Sequence, residues 1–268
     1  MRPNGSDSQT VAEGSDPAWS PHGRYLAYNR EWIGDSQQHC GTSYGCSEIW
    51  RVAVDGAAGE LQLSPSSLFA ESSDWSPDGR QIAFDGRPNP TYRGMDIYVM
   101  LAEGGTATRV TRSRADEEDP SWSPDGTRIA YSSYGPNPNR DSPDIYVMNA
   151  DGSDQHAITT GAAFDYSPDW APDGQHIVFQ RQYRGASPYW PNNEIVVMNP
   201  DGTGLRRLTN TPRLDDGQPV WSPDGTQILF VRDNGNVPRL FVMNADGSGV
   251  KRLITHEANS PAWGGAGH

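Results

Sequence analysis

Residues 122–126 read Trp122-Ser123-Pro124-Asp125-Gly126, and the same five letters return at Trp75 to Gly79 and at Trp221 to Gly225. Near-copies stand at Trp19-Ser20-Pro21-His22-Gly23 and Trp170-Ala171-Pro172-Asp173-Gly174. A sixth tryptophan, Trp263, keeps the upstream Ser260-Pro261-Ala262 but lacks the turn. Successive tryptophans lie 56, 47, 48, 51 and 42 residues apart. A period in the forties to fifties marks repeated supersecondary units of the propeller-blade kind rather than two unrelated domains.

Outward from each turn the pattern is that of short strands. Tyr25-Leu26-Ala27-Tyr28, Gln81-Ile82-Ala83-Phe84, Arg128-Ile129-Ala130-Tyr131, His176-Ile177-Val178-Phe179 and Gln227-Ile228-Leu229-Phe230 follow the turns directly. After a loop of variable length come Glu48-Ile49-Trp50-Arg51-Val52, Asp96-Ile97-Tyr98-Val99-Met100, Asp144-Ile145-Tyr146-Val147-Met148, Glu194-Ile195-Val196-Val197-Met198 and Leu240-Phe241-Val242-Met243. Turns such as Asn149-Ala150-Asp151-Gly152 then lead to a fourth strand ending as in Arg207-Leu208-Thr209. β-branched and aromatic runs punctuated by Asp-Gly are hairpin signals. In Pro-Asp-Gly the proline presets φ, the aspartate accepts the next position and the glycine takes the positive φ. These aspartates are therefore turn formers, since no loop has the spacing of a calcium-binding loop.

Pro-x-Trp-Ser-Pro-Asp-Gly, an Ile-Ala-Phe type strand, Asp-Ile-Tyr-Val-Met and Asn-x-Asp-Gly-x-x-x-Arg-Leu-Thr together resemble the PD40, or WD40-like, repeat of TolB-type β-propellers, from about residue 9 to 264. The resemblance implies an all-β, single-domain ring over residues 1–268, built of four-stranded antiparallel blades around a central channel. The repeats run at about 17–63, 73–111, 119–159, 168–209 and 219–254, with a partial one at 259–264 closing against 9–12. The expected plan is six-bladed with an incomplete terminal blade, and five blades is the alternative. Fold alone does not fix function.

Up-and-down strands put the loops between second and third strands on one face and the Pro-Asp-Gly and Asn-x-Asp-Gly turns on the other. Length variation concentrates on the loop face, as on the binding face of many repeat proteins. Trp32, Tyr44, Tyr92, Tyr134, Tyr183, Tyr189 and Trp190 stand there with Arg93, Arg140 and Arg184, types favoured as recognition anchors. A carboxylate precedes each repeat tryptophan: Glu13, Glu71, Glu117, Asp165, Asp216 and Glu257. If these converge on the channel mouth, hard oxygen ligands suit Ca²⁺. The competing reading is that each caps a turn or pairs with an arginine.

The chain carries 21 basic and 34 acidic residues, net −13, which argues against a nucleic-acid partner. No apolar run is long enough to span a membrane. Catalytic patterns are lacking: Gly41-Thr42-Ser43-Tyr44-Gly45 lies in a Gly-rich insertion without the strand-turn-helix of a nucleophile elbow, and the histidines are scattered. Cys40 and Cys46, the only cysteines, are read as a local disulfide, which implies an oxidising compartment. The resulting expectation is a monomeric, periplasmic or secreted, non-catalytic module that binds a protein or envelope glycan through its loop face, with association through the incomplete blade as a further route. The alternative is a polysaccharide-acting lyase or hydrolase on the same scaffold.

Overall fold

The computed structural model describes residues 10–32, 45–56, 59–88, 94–135, 142–183, 192–235, 237–253 and 259–264. Blade 1 comprises β1 (Ser15–Trp19), β2 (Tyr25–Trp32), β3 (Cys46–Ala53) and β4 (Leu61–Gln62). Blade 2 comprises β5 (Leu68–Trp75), β6 (Gln81–Pro88), β7 (Asp96–Leu101) and β8 (Thr108–Arg109), and blade 3 β9 (Glu117–Trp122), β10 (Arg128–Ser133), β11 (Asp144–Asn149) and β12 (His156–Ala157). Blade 4 comprises β13 (Phe164–Trp170), β14 (Ile177–Tyr183), β15 (Asn192–Met198) and β16 (Arg206–Arg207), and blade 5 β17 (Asp215–Trp221), β18 (Gln227–Asp233), β19 (Arg239–Asn244) and β20 (Lys251–Arg252). Each blade is one sheet with its strands in chain order, all antiparallel. Each outermost strand is only two residues long, which keeps the sheet edges too short to template another chain.

Period-two alternation sends opposite faces of every blade into different cores. Ile82 and Phe84 of blade 2 pack against Ala27 and Ile49 of blade 1, whereas Ala83, Ile97 and Val99 pack against Trp122, Ile129 and Tyr131 of blade 3. The same arrangement joins blades 3 and 4 through Ile145, Trp170 and Phe179, and blades 4 and 5 through Ile195, Trp221 and Phe230. Burying side chains of this size is worth about 1.5 to 3 kcal/mol each, so the apolar material sits between blades rather than in one centre.

The turns nest as well. Ser76 accepts the Gly79 amide at 2.8 Å, and Asp78 accepts from Ser76 Oγ at 2.7 Å and from the Arg80 amide at 3.0 Å, which is the turn-forming role expected of these aspartates. Gly126 has φ +69, and a Cβ on it would stand 3.3 Å from Pro77 of the preceding blade's turn; Gly174 meets Pro124 and Gly225 meets Pro172 in the same way. Gly126→Ala should therefore cost about 1 to 2 kcal/mol, from the left-handed backbone and the crowded proline together. A shift in the urea midpoint at unchanged slope would show it.

Five blades are present among the described residues, the alternative raised from the sequence; the six-bladed plan is not confirmed. Residues 259–264 form no strand, nor do residues 10–12. Instead, 259–264 fills the inner position between β17 and β1. The Trp263 indole donates to the Val220 carbonyl at 3.1 Å, as Trp75 does to Ala18 between blades 2 and 1. Ser260 bridges both neighbours, its amide donating to Gln218 Oε1 at 3.1 Å and its hydroxyl to Asp16. The sixth repeat thus supplies the lining of a blade without its sheet.

Candidate functional site: the central channel and its loop-face mouth

The channel is built from a bulge that recurs in every repeat. Three residues before each tryptophan the backbone turns left-handed: Asp16 (φ 46), Ser72 (42), Asp119 (55), Ser167 (49), Gln218 (51) and Ser260 (49). Each inner strand of the five blades shows a register irregularity at this point. Such residues cost on the order of 1 kcal/mol each unless their surroundings hold them. Here the second strand of the preceding blade does so: Asp119 N donates to Asp85 Oδ1 (3.4 Å), Ser167 N to Ser132 Oγ (3.1 Å) and Gln218 N to Gln180 Oε1 (3.2 Å). Below the bulge, Asp74 accepts the Trp122 amide and Asp169 the Trp221 amide, both at 2.7 Å, tying inner strands together. The six bulges and the residues up to each tryptophan enclose a cavity of about 230 Å³.

The mouth is electrically lopsided. Asp16, Glu71, Asp85, Glu118 and Asp119 belong to blades 1 to 3, while the matching positions beyond are Ser167, Gln180, Gln218 and Ser260. Burial, then the neighbouring carboxylates, raise Glu71 to about 7, with Asp16, Glu31 and Asp119 acting on it, and Glu118 to about 7, with Asp119, Asp116 and Glu71 acting on it. Asp85 is held well above the carboxylate range for the same reasons. Burial likewise raises Asp74 to about 6 and Asp169 to about 8.

The five described members of the carboxylate set read from the sequence are placed differently from one another. Glu71 lies in the mouth cluster. Glu13 borders a separate groove with Arg30, Glu31 and Trp32, and Glu117 is buried in β9, its carboxyl raised by burial. Asp165 makes two 2.7 Å bonds to Arg181, and Asp216 bonds Arg232 at 2.6 and 2.8 Å. Glu257 lies outside the described residues. The bulge explains the pairing: it shifts the register by one, so that Asp165 faces Arg181 and Asp216 faces Arg232 across the hairpin. Among the described residues no group of three or more His, Cys, Asp or Glu side chains is arranged to hold a metal ion.

Of the loop-face anchors, Trp32 ends β2, Tyr183 ends β14 beneath the Arg207 guanidinium (4.5 Å), and Tyr134 stands beside Glu118 and Tyr166 with its phenol raised by burial. Tyr44, Tyr92, Arg93, Arg140, Arg184, Tyr189 and Trp190 lie outside the described residues, as does Cys40. Cys46 opens β3 and is buried. Sequence reasoning missed the bulge residues. Their signal is the run of Asp, Ser, Asp, Ser, Gln and Ser three places before the tryptophans, small or amide side chains that tolerate or cap a left-handed turn.

Four-stranded blades stacked radially around a polar channel define a β-propeller. The model of the PD40 family, the TolB beta propeller domain, matches residues 15–267, and the chain belongs to this family. Over 46 residues it is 50% identical to the Tol-Pal system protein TolB of Anaeromyxobacter dehalogenans (strain 2CP-C), covering 16% of this chain and 11% of that protein. Against the protein of the same name from Helicobacter hepaticus it is 34% identical over 71 residues, 26% of this chain and 16% of the relative. The matches thus span less than a fifth of the length of these curated relatives. Among solved structures, TolB from Acinetobacter baumannii superposes with a TM-score of 0.70 at 22% identity over 93% of this chain and 56% of that one. An oligogalacturonate lyase in complex with manganese reaches 0.63 at 18% identity, over 94% and 67%. At these identities the likeness to solved structures is one of fold.

Proposed function

We propose that the chain is a non-catalytic binding module that engages a protein or an envelope glycan through its loop face, in the periplasm or outside the cell. The observation that carries this is the split between faces: the turn face repeats one hydrogen-bonded turn from blade to blade, whereas the opposite face combines loops of unequal length with an acidic, hydroxyl- and amide-lined mouth. A surface that varies around a constant scaffold is suited to recognition. The names of the TolB relatives agree with an envelope role. A disulfide between Cys40 and Cys46, clipping the loop after β2, belongs to the same proposal, and a mass change on reduction and alkylation under denaturing conditions tests it.

The binding reading is tested by replacing residues 33–44 and 184–191 with short Gly-Ser turns and measuring retention on immobilised envelope proteins and glycans. Binding should fall at least tenfold, with the strands of the five blades kept intact in the trimmed chain. Equal binding by the trimmed chain would refute it. Turnover of polygalacturonate or a neutral polysaccharide, abolished by Tyr134→Phe, would replace it with an enzymatic role.

A further inference from the structure

On the turn face, the sixth residue after each repeat tryptophan stands at or just before the start of the second strand, from where an arginine reaches the next blade's tryptophan. These residues are Tyr25, Gln81, Arg128, His176 and Gln227. Between blades 3 and 4 the place is filled from within: the Arg128 guanidinium sits 4.8 Å from the centre of the Trp170 ring. In blade 1 the position is held by Tyr25, whose own ring lies 4.3 Å from the Arg51 guanidinium, and Arg51 donates to the Ala102 carbonyl at 2.9 Å. Between blades 4 and 5 the short His176 turns to Asp173, its Nδ1 3.1 Å from Oδ2. A groove of about 570 Å³ lies here, lined by the buried Trp221 and Val197 and by Pro172 and Pro223. Asp173, Asp224 and Asp246 also line it. Bonds from Ser222, Thr226 and Ser248 hold Asp224 at about 2 and Asp246 low, so both stay charged. The cation lining the groove, Arg206, donates to the backbone carbonyls of Asp246 (2.9 Å) and Ala245 (3.5 Å).

We propose that this groove docks an arginine side chain from a basic segment of a partner protein, placing over Trp221 the guanidinium that Arg128 supplies over Trp170. The aromatic lining and permanently ionised rim suit a planar, weakly hydrated cation better than a compact ammonium. The site lies on the face opposite the loops and is independent of the loop-face reading.

The test titrates the ¹⁵N-labelled chain with N-acetyl-arginine amide, reading the tryptophan indole signals. The Trp221 indole should shift and saturate in the millimolar range, while that of Trp170, already covered by Arg128, should not. The neutral isostere N-acetyl-citrulline amide should leave both in place. His176→Arg should fill the groove from within and weaken binding of the probe at least tenfold. Asp224→Asn with Asp246→Asn should weaken it several-fold and reduce its salt dependence. Equal shifts at Trp170 and Trp221, equal shifts with citrulline, or undiminished binding by the His176→Arg chain would each overturn the proposal.

Discussion

Between about pH 5 and about pH 9 the melting temperature should fall by roughly 10 °C, a loss set by the raised acids of the channel. Glu71 and Glu118 stand at about 7, Asp74 at about 6 and Asp169 at about 8, all above their ordinary values because folding buries them and sets like charges beside most of them. The folded chain therefore holds protons that the unfolded chain has released. Stability is full at and below the ordinary carboxylate range and declines as pH climbs through the folded values. A tenfold difference in proton affinity between the folded and unfolded chain is worth about 1.4 kcal/mol, so partial realisation at a few sites gives the stated drop. The turn aspartates act in the opposite sense: Asp125 and Asp224, held at about 2 by their hydroxyl and amide donors, lose their contribution only as pH falls below about 4. Maximum stability is expected where the two ranges meet, at about pH 4. Glu118→Gln combined with Asp169→Asn, which mimic the protonated forms, should flatten the alkaline limb. A flat profile from pH 5 to 9 in the unaltered chain would show the channel acids to be far better solvated than their burial implies.

Arg232→Ala should be the costliest of the single charge deletions, at about 3 to 5 kcal/mol. Asp216 is fully buried and receives both Arg232 bonds, and the same guanidinium lies 5.3 Å over Phe230 and 4.9 Å over Phe241. Removing it strands a buried carboxylate within blade 5 and strips two aromatic rings of their cover. Adding Asp216→Asn to the same chain should return a substantial part of the loss, since the stranded charge is then gone, although Thr211 still donates to that position. Denaturant unfolding of the single and double variants measures the difference. If Arg232→Ala unfolds at the same denaturant concentration as its parent, the pair is structurally idle.

The fold was legible because a blade is assembled from local signals. A Pro-Asp-Gly turn, an alternating run and an Asp-Gly turn each act within a few residues, and the structure places them as read: Ile82 to Phe84, Asp96 to Met100 and their counterparts all lie in strands. The site was less legible because it depends on one residue of register. Counting back from the turn with no bulge sets Asp165 opposite Gln182 and Asp216 opposite Asp233, so neither shows its arginine. The left-handed residue three places before the tryptophan moves the strand by one and creates both ion pairs. Carboxylates that look like a repeated ligand set along the chain are divided in space: Asp165 and Asp216 against their own blade's second strand, Glu71 into the mouth. The number of blades was the other point the sequence left between two answers, because the sixth repeat has the tryptophan that lines the ring but forms no sheet among the described residues.

That closure has a mechanical meaning. Residues 259–264 join blade 5 to blade 1 through the Trp263 indole, the Ser260 amide and hydroxyl, and the contact of Gly264 with the Trp19 ring, and among the described residues no ladder of backbone bonds crosses the seam. Under tension these contacts should give way in succession, as a clasp does, while each of the five sheets resists as a block. A pull that separates blade 5 from blade 1 is thus expected to open the ring at 259–264 before any blade unravels.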